Sequence, residues 1–385
     1  MRIGIDARTI LSPEKGEAIG VGHYTYQLIR NLLELDKENE YVLFFDFRVR
    51  EKDIKKFTKP NVKIKFYPFS DYKKYLPVAY SEILGTATLH KEKLDVLHST
   101  SPTSRIPTGY GGKCVITFQD LAIYKVEHCY NSIKCAKDRT VYKMMARKAR
   151  KIIAVSESTK KDIQEMFNVP DDRITVIHNG LDKRFFDIPQ IDSRKILEKY
   201  GIAKKYILFV GTLEPSKNIA RLLEAFALFK KEIKKNNFNF DYLLVLAGKK
   251  GWLSQEYPRI AKDLGISKDI VFTGYIVGDE LVPLFKNAEF FVMPSLYEGF
   301  GMTVLEAFAT GTPAIISRVS SLPEIAGEAA QFVDPMNKEE IFGAMLKFSQ
   351  DENLRNEFRA KGIEQAKKFD WQETARKTLE VYKSL

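Results

Sequence analysis

Residues 290–310 read FFVMPSLYEGFGMTVLEAFAT, and this stretch predicts a strand, a glycine-rich turn and a helix in direct succession. The apolar run 290–293 is typical of a buried strand, and residues 302–310 are typical of a short helix. Gly299 and Gly301 allow the backbone of the turn to approach a ligand closely. A helix that begins beyond the carboxyl end of a buried strand indicates a doubly wound, parallel α/β domain.

Two carboxylates, Glu298 and Glu306, flank this turn with seven residues between them. The free N–H groups and the positive end of the helix dipole can bind a diphosphate at the helix start. A carboxylate is repelled by a diphosphate, but it accepts hydrogen bonds well from vicinal hydroxyls such as those of ribose or a hexose. The pattern therefore indicates a sugar on each side of a diphosphate. The alternative is that Glu298 ends a surface loop and Glu306 is an ordinary exposed helix residue.

From Tyr206 onward the chain resembles the retaining glycosyltransferases of family 4, whose signature is this Glu-x7-Glu segment within a GT-B fold. The resemblance extends almost from end to end. In that fold, two Rossmann-like domains face a central cleft, and the final helix crosses back to the first domain. The resemblance implies that the donor site includes these residues of the turn and helix: Glu298, Gly299, Phe300, Gly301, Met302, Thr303 and Glu306.

Length and composition fit two domains of ordinary size. The chain has 385 residues, of which 44% are hydrophobic and 29% are charged. Its three cysteines, Cys114, Cys129 and Cys135, form no metal-ligand pattern, and we expect free thiols in a reducing compartment. The first residues already read as a strand, and no apolar run approaches the roughly 20 residues that cross a bilayer. We therefore expect a cytoplasmic protein with no bound metal.

A basic segment, residues 134–151, carries eight lysines and arginines against one acid, Asp138, in a chain of formal net charge +11. At helical spacing most of the basic side chains share one broad face, and apolar residues such as Tyr142 and Met145 gather on the other. The ordinary interpretation is a core-packed helix with a solvated face. The alternative is peripheral attraction to an anionic membrane surface. Nucleic acid is not expected as a partner, because no motif that binds it accompanies the charge.

Short apolar runs, separated by helical or irregular segments, form two series along the chain. Such runs are typical of parallel strands that are buried on both faces. The first series comprises residues 2–5, 41–45, 62–67, 96–98, 113–117 and 152–155, and the second comprises residues 206–210, 242–247, 270–273, 290–293 and 313–317.

The two series predict two domains that bind ligands at the carboxyl ends of their strands. Residues 1–182 would form an N-terminal acceptor-binding domain, residues 183–204 a hinge, and residues 205–369 a C-terminal domain that binds the nucleotide-sugar donor. Residues 370–385 match the closing segment of the family, and we expect this helix to pack back on the N-terminal domain.

A Rossmann dehydrogenase is the competing enzyme class, and its fingerprint is missing. No G-x-G-x-x-G opens a helix after the first strand, since Gly20 and Gly22 follow a long loop and precede a predicted helix, residues 24–35. In the family this glycine loop lies over the diphosphate and donor sugar, so the resemblance places both glycines in the donor site. Of the five histidines, His23 has the best claim to face a ligand, on the acceptor side.

Gly211, Thr212, Ser216 and Lys217 follow the first strand of the second domain and form another candidate donor-binding group. We expect Lys217 to start the next helix, where its ammonium would neutralise the leaving diphosphate and so act in catalysis. Relatives often carry an arginine at the position of Thr212 or Ser216, and this chain lacks it. Lys217 and the backbone N–H groups near Gly301 would therefore carry more of that role.

Gln119 and Asp120 follow a strand of the first domain, where many relatives have His-Asp. The family histidine lies against the donor sugar and is treated as catalytic. Glutamine cannot transfer a proton, but its amide can hydrogen-bond a sugar hydroxyl. We therefore place Gln119 and Asp120 in the catalytic group, with a positional role for Gln119.

Five further residues match positions of the family. Tyr275 and Ile276 follow the third strand of the second domain, where relatives hold the nucleobase mainly through backbone groups. Ser156 leaves a strand of the first domain and would line the acceptor side, while Ser158 is the predicted N-cap of the next helix. Glu324 would support the site from behind the residues that touch the ligand.

The resemblance implies transfer of a hexose from a nucleotide diphosphate sugar to an acceptor hydroxyl, with retention at the anomeric carbon and without a metal or other cofactor. The strings at residues 5–8 and 297–301 look most like those of bacterial and archaeal mannosyltransferases of polysaccharide assembly. GDP-mannose is thus the first donor expected, and a UDP-hexose the second. The acceptor would be a glycan or lipid-linked glycan, bound by loops within residues 46–87 and 124–136.

Two interpretations that assign the protein to other functional classes stay open at this point. One is a non-catalytic GT-B protein that binds nucleotide sugars, which Gln119 in place of histidine makes conceivable. The other is a basic nucleic-acid binder, whose binding should weaken steeply with salt and should not respond to nucleotide sugars. A GT-B epimerase or phosphorylase is a further alternative, although no lysine site for pyridoxal is visible.

Overall fold

The computed structural model describes residues 1–10, 20–46, 49, 54–67, 78–126, 132–187, 192–236, 238, 241–276 and 278–385. Parts of the two predicted acceptor loops, part of the predicted hinge, and Cys129 lie outside these residues, and Cys114 and Cys135 are free thiols. The chain forms two compact units. The first comprises Met1–Leu121, Ile133–Gly180 and Asp370–Leu385, and the second comprises Ala122–Ser132 and Leu181–Phe369.

The first unit is built on a parallel sheet in the order β3-β2-β1-β4-β5-β6-β7. The order reverses direction between β1 and β4, which is the point where doubly wound sheets bind ligands beyond the carboxyl ends of the strands. The strands are β1 Arg2–Asp6, β2 Glu40–Asp46, β3 Val62–Tyr67, β4 Val96–Ser99, β5 Cys114–Phe118, β6 Lys151–Ala154 and β7 Ile174–Val176.

The second unit has a parallel sheet in the order β10-β9-β8-β11-β12-β13, with the reversal between β8 and β11. Its central strands are fully buried because helices cover both faces, as their unbroken apolar runs require. The strands are β8 Tyr206–Val210, β9 Leu243–Ala247, β10 Ile270–Gly274, β11 Phe290–Met293, β12 Ala314–Ser317 and β13 Ala330–Val333.

Helices alternate with most of the strands in both units, as crossovers between parallel strands require. They are α1 Gly20–Leu35, α2 Val78–Lys91, α3 Ala122–Lys125, α4 Ser132–Lys148, α5 Glu157–Phe167, α6 Ser193–Lys199, α7 Ile219–Lys235, α8 Tyr257–Asp263, α9 Leu281–Lys286, α10 Met302–Ala309, α11 Leu322–Ala326, α12 Lys338–Gln350, α13 Glu352–Ala366 and α14 Trp371–Lys383. Among the described residues, no helix is both long enough and apolar enough to cross a membrane.

The last helix, α14, completes the core of the first unit. Trp371 and Tyr382 are buried in the same apolar cluster as Ile3 and Ile5 of β1. The hydroxyl of Tyr382 lies 2.5 Å from Nδ1 of His98 on β4, and burial lowers the pKa of that imidazole to about 3. His98 is therefore neutral and serves the core. The predicted fold class, two doubly wound α/β units with a closing helix on the first, is confirmed.

Four predictions of local structure need correction. Helix α1 begins at Gly20, so Gly20 and Gly22 form its first turn instead of a loop before it. Helix α4 ends at Lys148, so the end of the predicted basic helix lies in the turn and the strand that follow. Strands β7 and β13 were not predicted, because each is short and carries a polar residue at the edge of its sheet. Residues 122–132 group with the second unit, since Ala122 and Val126 pack on Tyr297.

Gly180 allows two backbone segments to pass in close contact at the edge of the first unit. A Cβ atom on Gly180 would lie 2.1 Å from the backbone nitrogen of Trp371 and 2.5 Å from its Cα. Because the obstacle is backbone, it cannot rotate away as a side chain would.

We expect Gly180→Ala to destabilise the protein by about 1–3 kcal/mol or more, through overpacking against this backbone. Thermal melting measures the effect. The control is Gly343→Ala on α12, where a Cβ meets nothing within 4 Å. There, alanine should stabilise the helix by roughly 0.5–1 kcal/mol. Equal melting temperatures for the two variants would contradict the assignment.

Candidate functional site

The centre of the candidate site is an ion pair between Lys217 and Glu298, which lie 81 residues apart in the chain. Nζ of Lys217 donates to Oε1 of Glu298 at 2.7 Å, and the side chains are only 21% and 14% exposed. Oγ of Ser295 donates to the same oxygen, also at 2.7 Å. Oε2 of Glu298 has no hydrogen-bond partner among the described residues. Oε1 of this carboxylate is therefore bonded within the protein, and Oε2 can accept a hydrogen bond from a ligand.

Two serines that the sequence analysis did not identify hold the backbone of Glu298. Its N–H donates to Oγ of Ser320 at 2.9 Å, and Oγ of Ser321 donates to its carbonyl oxygen at 2.9 Å. Ser320 adopts a φ of 51°, which is uncommon for a residue with a Cβ atom. The turn after β12 thus fixes the direction of the Glu298 carboxylate, and the unusual φ of Ser320 has no signal in the sequence.

Lys217 ends a short 3-10 turn, Pro215–Lys217, and helix α7 begins only at Ile219. The prediction that Lys217 starts the helix is therefore wrong. Asn218, with a φ of 61°, separates the turn from the helix, and its Nδ2 donates to the carbonyl oxygens of Pro294 and Pro335 at 3.0 and 2.6 Å. These bonds tie the segment after β8 to the segment after β11. They set the place from which Lys217 reaches Glu298.

Helix α10 begins directly beyond this pair. Gly301 precedes it with a φ of 100°, and a Cβ there would lie 2.8 Å from Cδ2 of Leu322, so both backbone conformation and space require glycine. No side chain in the described part of the chain caps this helix. Its first N–H groups and the positive end of its dipole therefore point to the side where an anion can bind.

Glu306 lies on α10 in a very different environment from Glu298. Burial raises the pKa of the Glu306 carboxyl to about 8, against the opposing effect of the Arg184 guanidinium. No described side chain donates a hydrogen bond to this carboxyl. The interpretation of Glu306 as an ordinary exposed helix residue is therefore wrong. At neutral pH the free protein keeps much of this carboxyl protonated.

Arg184 is a further polar residue near Glu306 that the sequence analysis missed. Its Nε lies 3.7 Å from Oδ2 of Asp182, and its Nη1 lies 3.9 Å from Oδ1 of Asp279. Nε of Arg184 and the hydroxyl of Tyr275 are both buried without a hydrogen-bond partner in the described part of the chain. The effects of Arg184 and Glu306 on the pKa of Tyr275 show that the three groups share one region. Unmet donors of this kind are suited to a polar ligand.

The remaining donor-site candidates differ in how much of each side chain a ligand could touch. Ser216 is buried, and its Oγ donates to Oε1 of Glu214 at 2.8 Å. Phe300 is buried against Phe369, with ring centroids 5.8 Å apart. Both side chains support the site from within the core. Ile276, Gly299 and Gly301 are likewise buried, whereas Gly211, Thr212, Tyr275, Met302 and Thr303 are partly exposed.

In the first unit, Gln119 and Asp120 follow β5 and are half-buried. Nε2 of Gln119 is buried and has no hydrogen-bond partner among the described residues. A buried amide donor without a partner is costly unless a ligand or water satisfies it. This observation is consistent with a positional role for Gln119.

The other first-unit candidates lie at the start of α1 and directly after β6. His23, in the first turn of α1, makes an edge contact with Trp371, with ring centroids 6.1 Å apart. Ser156 is fully buried and is itself the N-cap of α5, accepting from the N–H of Thr159. The predicted cap, Ser158, instead lies in the first turn of the helix. Within the described ranges, no group of three or more His, Cys, Asp or Glu side chains is placed to hold a metal ion.

Two family models match the chain. One, described as Glycosyltransferase Family 4, matches residues 19–185, and the other, described as Glycosyl transferases group 1, matches residues 192–365. The O-antigen chain mannosyltransferase B of Escherichia coli is 32% identical over 279 residues, which cover 71% of this chain and 71% of that protein. The serotype-specific mannosyltransferase WbdA of Escherichia coli is 31% identical over 244 residues, which cover 62% of this chain and 29% of that protein.

Among solved structures, HepE of Anabaena in complex with UDP and glucose matches this chain with a TM-score of 0.76. The two are 17% identical, and the match covers 100% of each chain. This likeness shows a shared fold.

The high pKa of Glu306 predicts a specific dependence of stability on pH. Its carboxyl has a pKa of about 8 in the folded protein and an ordinary value of 4.5. The folded protein therefore binds the proton more tightly, and stability falls as the pH rises through this window. Glu306→Gln removes the ionisation. The melting temperature of this variant should therefore rise relative to that of the native protein as the pH is raised from about 5 to about 8.5.

The control variant is Glu280→Gln in the same unit. Hydrogen bonds from Lys199 and Tyr200 lower the pKa of Glu280, so this carboxylate contributes stability that is lost as the pH falls. Glu280→Gln should thus lose stability at neutral pH and approach the native protein in acid. A difference between Glu306→Gln and the native protein that does not change with pH would show that Glu306 titrates normally.

Proposed function

This chain belongs to the family 4 glycosyltransferases, and we propose that it moves mannose from GDP-mannose to a hydroxyl of a glycan or lipid-linked glycan, with retention at the anomeric carbon. The observation that carries the proposal is the Lys217–Glu298 pair beside the uncapped start of α10. It joins a cation and a helix N-terminus, which suit a diphosphate, to a carboxylate that suits a sugar.

The leaving diphosphate would bind at the start of α10, beside Lys217. The ammonium of Lys217 has three hydrogens, one of which it donates to Glu298, and we propose that it also donates to phosphate oxygens. Positive charge at this point stabilises the leaving group as the glycosidic phosphate bond breaks. Lys217 and the helix dipole supply that charge from the protein itself, so we propose transfer without a metal ion.

The two carboxyl groups would take the sugars on either side of the diphosphate. Oε2 of Glu298 would accept from hydroxyls of the hexose, while Oε1 stays bound to Lys217 and Ser295. Glu306 would hydrogen-bond the ribose, as acceptor when ionised and as both donor and acceptor when protonated. The buried hydroxyl of Tyr275 lies in the same region and would meet the nucleoside.

Retention would follow from attack on the face that the diphosphate leaves. The bond between the anomeric carbon and the phosphate oxygen breaks, and the acceptor oxygen bonds to the same face of that carbon. The acceptor proton passes to the leaving phosphate oxygen, so GDP and a mannoside are the products. Gln119 cannot transfer this proton. Its unpartnered Nε2 would instead hydrogen-bond a sugar hydroxyl.

The choice of mannose rests on two relatives whose names include mannosyltransferase and which are 32% and 31% identical to this chain. A UDP-hexose is the second candidate, since the solved structure of HepE contains UDP and glucose. A non-catalytic binder of nucleotide sugars is the third. The half-buried Lys217 and Glu298 favour turnover over binding alone, because Lys217 places positive charge where the leaving group would develop negative charge.

Peripheral contact with an anionic membrane is part of the proposal, because a lipid-linked acceptor would lie at such a surface. Helix α4 exposes Lys137, Arg139, Lys143 and Arg147 and buries Tyr142 and Met145. Exposed cations on one face of a helix are attracted to anionic headgroups, with about 1 kcal/mol for each side chain near the surface.

Variants of the central pair test the proposed chemistry. Lys217→Ala and Glu298→Gln should each lower turnover by about a hundredfold or more, because each removes charge or hydrogen bonding directed at the transition state. The measurement is mannose transfer or slow donor hydrolysis, with circular dichroism to verify folding. The control is Lys199→Ala, which breaks an exposed ion pair with Glu280 in the same unit and should leave turnover unchanged. Normal turnover in a folded Lys217→Ala would refute the assignment.

A panel of nucleotide sugars tests the donor. A ligand at 100 times its Kd stabilises the folded protein by about 2.7 kcal/mol, so GDP-mannose should raise the melting temperature more than UDP-, ADP- or CMP-sugars. Slow release of free mannose would accompany it. A shift with a UDP-hexose alone would exclude GDP-mannose, and binding without release or transfer would favour the non-catalytic alternative. No shift with any nucleotide sugar would refute the donor site.

A further inference from the structure

The first unit contains a polar cavity of about 390 Å³, whose walls carry five basic side chains and no acidic one. It lies where β5 and β6 begin, at the end of α4, as shown by its lining residues Cys114 and Lys148. Gln119, Asp120 and Ser156 follow the opposite, carboxyl ends of these strands. The cavity is therefore separate from the candidate active site. Its basic residues are Lys113, Arg147, Lys148, Arg150 and Arg173.

None of these five cations forms an ion pair with an Asp or Glu side chain that the structure describes, and Lys113 donates to the backbone oxygen of Leu385. A half-buried lysine of the second unit shows the usual arrangement. Lys230 pairs with Asp241 and lies 2.9 Å from Asp269. Five positive charges around one cavity repel one another, and binding of an anion would relieve that repulsion.

Hydrogen bonds to backbone carbonyl oxygens account for two of the five cations. Nζ of Lys148 donates to the carbonyl oxygens of Thr108 and Tyr110 at 3.2 and 2.7 Å. Nη2 of Arg173 donates to the carbonyl oxygen of Ala146 at 3.2 Å and to that of Ala149. Arg173 thus satisfies carbonyl oxygens at the end of α4, as basic side chains commonly do, whereas Lys148 ties the end of α4 to the segment between β4 and β5. The bonds also fix both cations in place, so they remain as permanent charges on the cavity wall.

Hydrogen bonds of this kind do not explain why Arg147 and Arg150 line the cavity. Both are exposed, and their side chains donate to no group within the described ranges. Arginine presents a planar fork of donors that matches phosphate oxygens, and such charge-assisted bonds are stronger than neutral ones. We propose that this cavity binds a phosphate group, either of a soluble phosphate compound or of an anionic lipid headgroup, through Arg147 and Arg150, with Lys148 and Arg173 behind them.

Gly111, on the cavity wall, provides a sharp test. A Cβ there would meet nothing within 4 Å, and the residue is absent from the positive-φ glycines, so a side chain is tolerated. Gly111→Asp would place a carboxylate among the five cations and compete with phosphate. Gly111→Asn has nearly the same shape without the charge, and it serves as the matched control.

A second pair of variants separates the cavity from the general charge of α4. Arg147→Gln with Arg150→Gln removes two cations from the cavity. Lys137→Gln with Lys143→Gln removes two exposed cations from the same helix that do not line it. Both double variants change the net charge of the protein by the same amount, so only a specific cavity predicts different results for them.

Titration calorimetry with inorganic phosphate on the intact protein gives the first readout. The native protein, Gly111→Asn and Lys137→Gln/Lys143→Gln should show saturable binding that weakens with salt. Gly111→Asp and Arg147→Gln/Arg150→Gln should bind at least about tenfold more weakly, the effect of losing one or two charge-assisted hydrogen bonds. These readouts involve no donor sugar, so they are independent of the proposed transferase activity.

Co-sedimentation with phosphatidylcholine vesicles, with and without phosphatidylglycerol, identifies the source of the phosphate. Loss of binding to the anionic vesicles in the same two cavity variants would assign the cavity to a lipid headgroup. Phosphate binding that depends on the cavity, with vesicle binding equal in all variants, would assign it to a soluble phosphate compound. Absence of saturable phosphate binding together with vesicle binding that is equal in all variants would overturn the proposal.

Discussion

Parallel pairing of buried strands is the constraint on which both units of this protein depend. A parallel sheet needs a crossover after each strand, so the carboxyl ends of its strands meet at one edge, and the loops at that edge are free to carry polar residues. In the second unit, β11 pairs with β8 in a register that matches Phe290 with Ile207. This register brings Lys217 and Glu298 to 2.7 Å although 81 residues separate them in the chain. The proposed chemistry of the site thus follows from a pairing of apolar strands.

The two glutamates of the sequence motif show how strongly local environment changes one chemical group. Glu298 lies in a turn where Lys217 and Ser295 donate to it, so its charge is compensated within the protein. Glu306 lies on a helix without a hydrogen-bond donor among the described residues, and burial raises its pKa to about 8. The carboxylate of Glu298 is therefore held in a fixed orientation. The charge of the Glu306 carboxyl depends on the pH and on what binds beside it. The unmet donors of Arg184 and Tyr275 in the same region fit a polar ligand.

Much of the fold could be predicted from the sequence, because buried parallel strands are short apolar runs with polar flanks. The bounds of β8 and β11 were predicted to the residue for this reason. The edge strands β7 and β13 were not predicted, since a short strand with a polar residue near its centre does not form an apolar run with polar flanks. The start of α1 was placed too late because glycine has a low helix propensity, yet packing of Gly22 within the unit outweighs that preference.

By itself the sequence determined the doubly wound α/β class, the family, and the residue types that a nucleotide-sugar site needs, since these depend on local pattern and composition. Only the tertiary structure decided that Lys217 contacts Glu298, that Ser320 and Ser321 hold the Glu298 backbone, and that Glu306 loses water and gains a high pKa. It also gathered Lys113, Arg147 and Arg173 around one cavity. The physical reason is the same in each case: distances and burial between residues remote in sequence are set by sheet register and helix packing, whereas strand and helix patterns are set by neighbours along the chain.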